Sequence, residues 1–157
     1  MLVVADSSPL IYLSRVGVLD VLASTFGEVC IPAVVWAEVV TARPDAPGVE
    51  ALRAARWLRV DARALPSVDL GLDAGETAAI LLAEAIAAEL VLIDERAGRE
   101  VALRRGLAVR GTLGVLVRAR EAGAIPTLRP VLDALVAEGF RISPVLEAES
   151  LRRVGET

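Results

Sequence analysis

LVVAD at residues 2–6, followed directly by SSPL at 7–10, decides how the rest of the chain is read. Three aliphatic residues and an alanine make a strand-like run that stops at Asp6, and Ser7, Ser8 and Pro9 follow at once. Serine then proline is a helix-start signal: the hydroxyl accepts from an unpaired first-turn N–H, and proline fits the first helical position. The stretch therefore reads as strand, turn, helix, with Ser8 as the cap. Asp6 sits at the seam, either bracing the turn or presenting a carboxylate at a strand end for chemistry.

The same alternation runs outward along the chain. Further strand-like runs occur at EVCIP (28–32), WLRVD (57–61), ELVLID (89–94) and LAVRG (107–111). Helical segments lie between them, opened by Pro32 and Ala33, by Asp73 with Glu76 three residues on, by Asp94 or Glu95, and by Thr112. TARPDAPG (41–48) reads as a surface loop. The tail adds PTLRPVLDALVAEGF and SPVLEAESLRRVG, two more helical candidates. Strands alternating with helices of this length predict an α/β fold, a parallel sheet with helices on both faces. No linker, repeat or low-complexity tract divides the 157 residues, so one domain is expected over 1–157, with 126–157 as its helical C-terminal extension. In such sheets, sites form beyond the carboxyl ends of strands, where Asp6 and Asp94 stand.

Composition narrows the chemistry. The chain has no histidine, all 17 basic residues are arginine, and the single cysteine, Cys30, falls in a strand-like run as a buried thiol. These absences exclude Ser-His-Asp and Cys-His nucleophiles, Schiff-base lysines, the Walker A lysine and His/Cys zinc sites. What remains is carboxylates, hydroxyls, arginines and backbone amides, and all-oxygen sites suit Mg²⁺ or Mn²⁺. Apolar residues reach 55% and mean hydropathy is +0.57, yet no uncharged run attains the ~18 residues of a membrane span. With no basic leader at the start, a cytoplasmic protein is expected, its surplus apolar surface turned to a homodimer interface. The net charge of −4 is uneven: residues 1–93 hold 6 arginines against 12 acids, residues 94–157 hold 11 against 9. Any nucleic-acid contact must therefore use a local arginine patch beside an acidic centre.

Four acids stand out, each with a bland alternative. Glu38 lies in AVVWAEVV, an otherwise apolar helical segment, where it borders the stripe begun by Val34 or turns to solvent. Glu76 completes a capping box with Asp73 or serves a site. Asp94 caps the next helix or serves a site, and Glu95 is an exposed first-turn acid. Together with Asp6 they stand at three strand–helix junctions and on one apolar helix, in a fold that gathers those junctions to one rim. Unpaired carboxylates about 4 Å apart repel by roughly 4 kcal/mol at an effective dielectric near 20. A cluster of them persists only with a cation or with bound protons.

The order Asp6, Glu38, Glu76, Asp94, with SSPLIYLSRVG directly after Asp6 and with LDAGETAAI and LIDERAGR…GTLGVL around the later acids, resembles the PIN-domain ribonucleases along almost the whole chain. It is closest to their uncharacterised predicted branch. The resemblance implies a three-layer α/β/α sandwich with a mostly parallel sheet of about five strands. It also implies Mg²⁺- or Mn²⁺-dependent hydrolysis of RNA phosphodiesters, often by dimeric toxins of the VapC type paired with an antitoxin. Asp6, Glu38, Glu76 and Asp94 match the four metal-binding catalytic acids. Glu76 is longer than the aspartate many relatives carry, and Glu95 offers a second acid beside Asp94. Ser7 matches a hydroxyl that often follows the first acid, and Thr112 lies near another. Ser8 and its helix amides are expected at phosphate, as are Arg96 and Arg99, unless these arginines pair with Glu95 and Glu100. The alternative is a catalytically silent PIN-like module that binds RNA or protein.

Overall fold

The computed structural model describes residues 1–157. All five strand-like runs form strands: β1 Val3–Ala5, β2 Val29–Pro32, β3 Leu58–Asp61, β4 Leu90–Leu92 and β5 Val109–Arg110. They lie parallel in one sheet of order β3-β2-β1-β4-β5. The chain builds outward from β1 to one edge and then returns to β4 on the other flank of β1. That reversal opens a crevice beyond the carboxyl ends of β1 and β4.

Strand geometry sends alternate residues to opposite faces. Val3, Ala5, Val29, Ile31, Leu90 and Leu92 enter a cluster of 27 buried apolar residues. Val4, Val91 and Ile93 enter a second of only 8. The larger core is covered by α1 Ser7–Arg15, α2 Val21–Phe26, α4 Val49–Ala54 and α7 Thr112–Glu121, with α8 Arg129–Ala137 and α9 Pro144–Arg153 from the tail. The smaller core lies under α5 Ala74–Ala85 and α6 Arg96–Arg104. Helix, sheet, helix: the fold is the three-layer α/β/α arrangement. No helix is long and apolar enough to cross a membrane.

Three local expectations change. Helix α1 starts at Ser7, so Asp6 rather than Ser8 holds the N-cap position, yet its side chain makes no capping hydrogen bond. The Ser8 hydroxyl is drawn off to another partner instead. In the segment after β2, α3 Ala33–Trp36 runs into a π-helical turn, Ala37–Thr41, closed by the Ala42 N–H to the Ala37 carbonyl at 2.8 Å. There Val35, Val39 and Val40 are buried while Val34 is 41% exposed, so Glu38 does not continue a stripe from Val34 into the core. Finally, Cys30 is half-buried, pointing to the thinner core.

The tail is tied back to the sheet-facing layer. Glu156 accepts hydrogen bonds from the backbone N–H groups of Leu128 (2.7 Å) and Arg129 (3.1 Å), and from Arg120 Nε (3.0 Å). Leu128, Leu132, Leu135 and Leu151 belong to the larger core. At the sheet edges, β5 is two residues long, and β3 carries Arg59 paired with Glu28 (3.3 Å) and Asp61 paired with Arg63 (2.9 Å).

Candidate functional site

Because β1 and β4 are parallel neighbours, Asp6 and Asp94 leave the sheet at the same end. Asp6 is buried, at 5% exposure, and the two serines after it tie the other acids down around it. Ser7 Oγ donates to Glu38 Oε2 at 2.6 Å, and Ser8 Oγ donates to Asp94 Oδ2 at 2.9 Å. Asp94 is held a second time by Thr112, whose N–H donates to Oδ1 and whose hydroxyl donates to Oδ2, both at 2.7 Å. Adjacent hydroxyls on the first turn of α1 thus reach in two directions, one to the π-helical turn and one to the end of β4.

The start of α5 closes the site from above. A Cβ on Gly75 would lie 2.7 and 2.8 Å from the Glu38 carboxylate oxygens and 3.1 Å from Asp6 Oδ1. Glu38 and Asp6 therefore face one backbone position, where an added Cβ would displace the Glu38 carboxylate. The π-helical turn explains the aim of Glu38: its wider winding buries Val39 and Val40 while leaving the carboxylate at the crevice. Burial pushes the Asp6 carboxyl up to about 7; Asp73, Glu38 and Asp94 add to the rise, and a backbone hydrogen bond from Ser7 opposes it.

Glu76 is placed differently. Its backbone N–H donates to Asp73 Oδ1 at 2.8 Å, completing the expected cap, but its side chain turns toward α6. There a Cβ on Gly98 would lie 2.5 Å from Oε2, an oxygen that is buried without a hydrogen-bond partner. Burial first, then the charge of Asp73, raises this carboxyl to about 7. Glu76 stands behind the crevice and does not line it. A cleft of about 330 Å³ is lined instead by Asp6, Ser7, Ser8, Glu38, Asp73, Glu95 and Arg43, among others. Asp73 and Arg43 are thus site residues that sequence reasoning passed over. Asp73 had been accounted for as a cap, and Arg43 lies in a loop with no pattern to mark it.

The expected phosphate-side arginines also divide. Arg96 is exposed and pairs with Glu100 at 3.1 Å, the bland alternative. Arg99 donates to the Ile93 carbonyl at 3.3 Å and rests against Gly111 beside Asp94. Past Ser8 and Asp94 the cleft opens into a groove of about 1300 Å³, which runs along α7 toward α9.

The donor set is all oxygen, which suits a hard divalent cation, and Asp6 with Glu38 supplies two converging carboxylates. No three acidic side chains, however, stand close enough to enclose an ion. The residues fit in chemistry and in this pair, with Asp94 beside them engaged by hydroxyls.

A family model described as a PIN domain matches residues 2–156. The chain belongs to the PIN-domain family. PIN domains are nuclease-type folds and generally use divalent metals. Among solved structures, this PIN domain is similar to a PilT N-terminus domain protein from the hyperthermophilic archaeon Sulfolobus solfataricus P2. The TM-score is 0.56 at 17% identity, over 76% of this chain and 93% of that one, a likeness of fold. No curated protein matches.

Proposed function

We propose that this PIN domain is a divalent-metal-dependent endoribonuclease of the cytoplasm, with Mg²⁺ or Mn²⁺ held by Asp6 and Glu38 and with Asp94 completing the acidic site. The observation that carries the reading is the convergence of Asp6 and Glu38 on Gly75 at the sheet crevice. Clustered carboxylates need a cation or protons, and the Asp6 carboxyl is raised by its burial first and then by the neighbouring acids. When bound, the ion supplies Lewis-acid activation of water and positive charge opposite a phosphate. The chain's own residues do the rest. Ser7 and Ser8 hold Glu38 and Asp94 in place, Thr112 fixes the orientation of Asp94, and the first-turn amides of α1 face the phosphate side. Glu76 serves from behind as a buried carboxylate able to carry a proton next to α6. Pairing with an antitoxin and assembly as a homodimer belong to the same proposal.

Mn²⁺ calorimetry and RNA cleavage test it together. Wild type is expected to bind Mn²⁺ and to cut RNA only with the ion present. A folded Glu38→Gln, Asp94→Asn double variant is expected to lose at least tenfold in affinity and to show no turnover. Absence of Mn²⁺ binding to wild type at millimolar concentration would remove the nuclease reading. A specific observation favours the silent module in that event: both Asp94 oxygens are already satisfied by Ser8 and Thr112. RNA binding without any metal dependence would then mark it.

A further inference from the structure

The groove that leaves the acidic cleft along α7 carries a second group of charges. Arg110 ends β5, and its side chain lies across the first turn of α7, where Gly114 has no Cβ to block it: one placed there would fall 2.8 Å from Arg110 Cγ. Arg110 Nη1 is buried and has no hydrogen-bond partner. The residue as a whole is only half-buried and lines the groove, so Arg110 brings its positive charge to the groove wall. Arg118 faces the same groove one helical turn beyond Gly114, exposed and in no ion pair, and Arg153 reaches it from α9. Among the carboxylates on this stretch, Glu121 offsets Arg153 only, at 3.4 Å, and Glu149 bonds no arginine, which leaves Arg110 and Arg118 without an ion pair. Burial, and after it the neighbouring charges of Arg118 and Arg153, pull the Arg110 guanidinium below its ordinary value.

We infer that Arg110, Arg118 and Arg153 form an anion subsite for a backbone phosphate of a single-stranded nucleic acid, held in the groove between α7 and α9. Seven residues of helix separate Gly111, beside Asp94, from Arg118, an advance of about 10 Å, so the subsite lies a few nucleotides from the acids. The edge-to-face pair of Tyr12 and Phe140, with centroids 5.1 Å apart, lines the same groove and offers a ring surface on which a base can stack. A strand, rather than a lone anion, matches a trough that joins Asp94 to the arginines near α9. The inference takes from the proposed function only that the ligand is nucleic acid.

Binding without catalysis separates the two. A fluorescent eight-nucleotide oligouridylate is titrated against the full chain in chelator, where no cutting can occur, and anisotropy is followed across salt concentrations. Wild type is expected to bind, with affinity falling as salt rises. Arg110→Gln and Arg118→Gln are each expected to weaken binding about tenfold and to lower the salt slope by about 0.7, the increment per phosphate contact on a single strand. Arg59→Gln, on the far edge strand, is expected to change neither, and thermal melts check that every variant folds. Unchanged binding in both groove variants overturns the subsite. So does binding of inorganic phosphate without the oligonucleotide, or equal competition by polyglutamate, which would mark a site for small anions or an acidic protein. If cleavage fails while this binding holds, the nuclease reading falls and the subsite stands.

Discussion

Asp6 shows what the residue scale can hold. Its carboxyl titrates near 3.8 in an ordinary setting and near 7 in the folded, metal-free chain. Between those values the folded state binds a proton that the unfolded state has released, so linkage favours the fold below about pH 4 and that contribution is lost as pH rises through 7. Asp6→Asn is therefore expected to raise the melting temperature of the metal-free protein at pH 8, with a gain of at most about 4 kcal/mol at about 1.4 kcal/mol per pH unit. The gain should vanish below pH 4, and the slope that remains between 4 and 7 should be that of Glu76, which titrates over the same range. Equal pH slopes in variant and wild type would show that burial does not act on Asp6 in this way. The sequence already marked Asp6, Glu38 and Asp94, because each breaks a local apolar pattern without a sufficient structural reason. It could not show that Ser8 abandons its cap for Asp94, since the partner lies 86 residues away and only folding joins them.

At the scale of elements, α5 couples structure to the site through Asp73. This side chain caps the helix by accepting from the Glu76 N–H, lines the acidic cleft, and raises both Glu76 and Asp6 by its charge. The two roles separate by substitution. Asp73→Ala should cost about 1 kcal/mol of stability through the lost cap. Asp73→Ser keeps an acceptor for the cap but removes the charge, so the protein should melt close to wild type while the Asp6 and Glu76 carboxyls move down in a carbon-13 NMR titration. Carboxyls that stay where they are in the serine variant would locate the cause in burial alone. Strands and helix starts were legible because their signals are local: β-branched runs, Pro32 before α3, the Asp73–Glu76 box. The π-helical turn was not. AVVWAEVV has the same apolar look whether wound at 3.6 residues per turn or wider, and the wider form is seen only in the folded chain, where Val39 and Val40 are buried.

The whole molecule is closed by its last helices. Glu156 spans back to the start of α8, and the N–H groups of Leu128 and Arg129 hold its carboxyl below the usual 4.5. A lowered value means stability that is present above pH 4.5 and is lost as pH falls through the folded-state titration. Glu156→Gln should thus lower the melting temperature at pH 7, with the difference from wild type shrinking on acidification. A constant difference would assign the effect to packing. This closure also explains why the arginines of the groove escaped sequence reading. Arg110, Arg118 and Arg153 are scattered over two elements and a strand end, in a segment of mixed charge, and they become neighbours only when α9 lies against α7.

The rims of the sheet bear on how copies of the chain meet. A two-residue β5 presents almost no free ladder for another backbone to extend, and β3 carries the charged Arg59 and Asp61 on one face of the edge. Templated growth, strand upon strand, is discouraged by brevity on one side and by charge on the other.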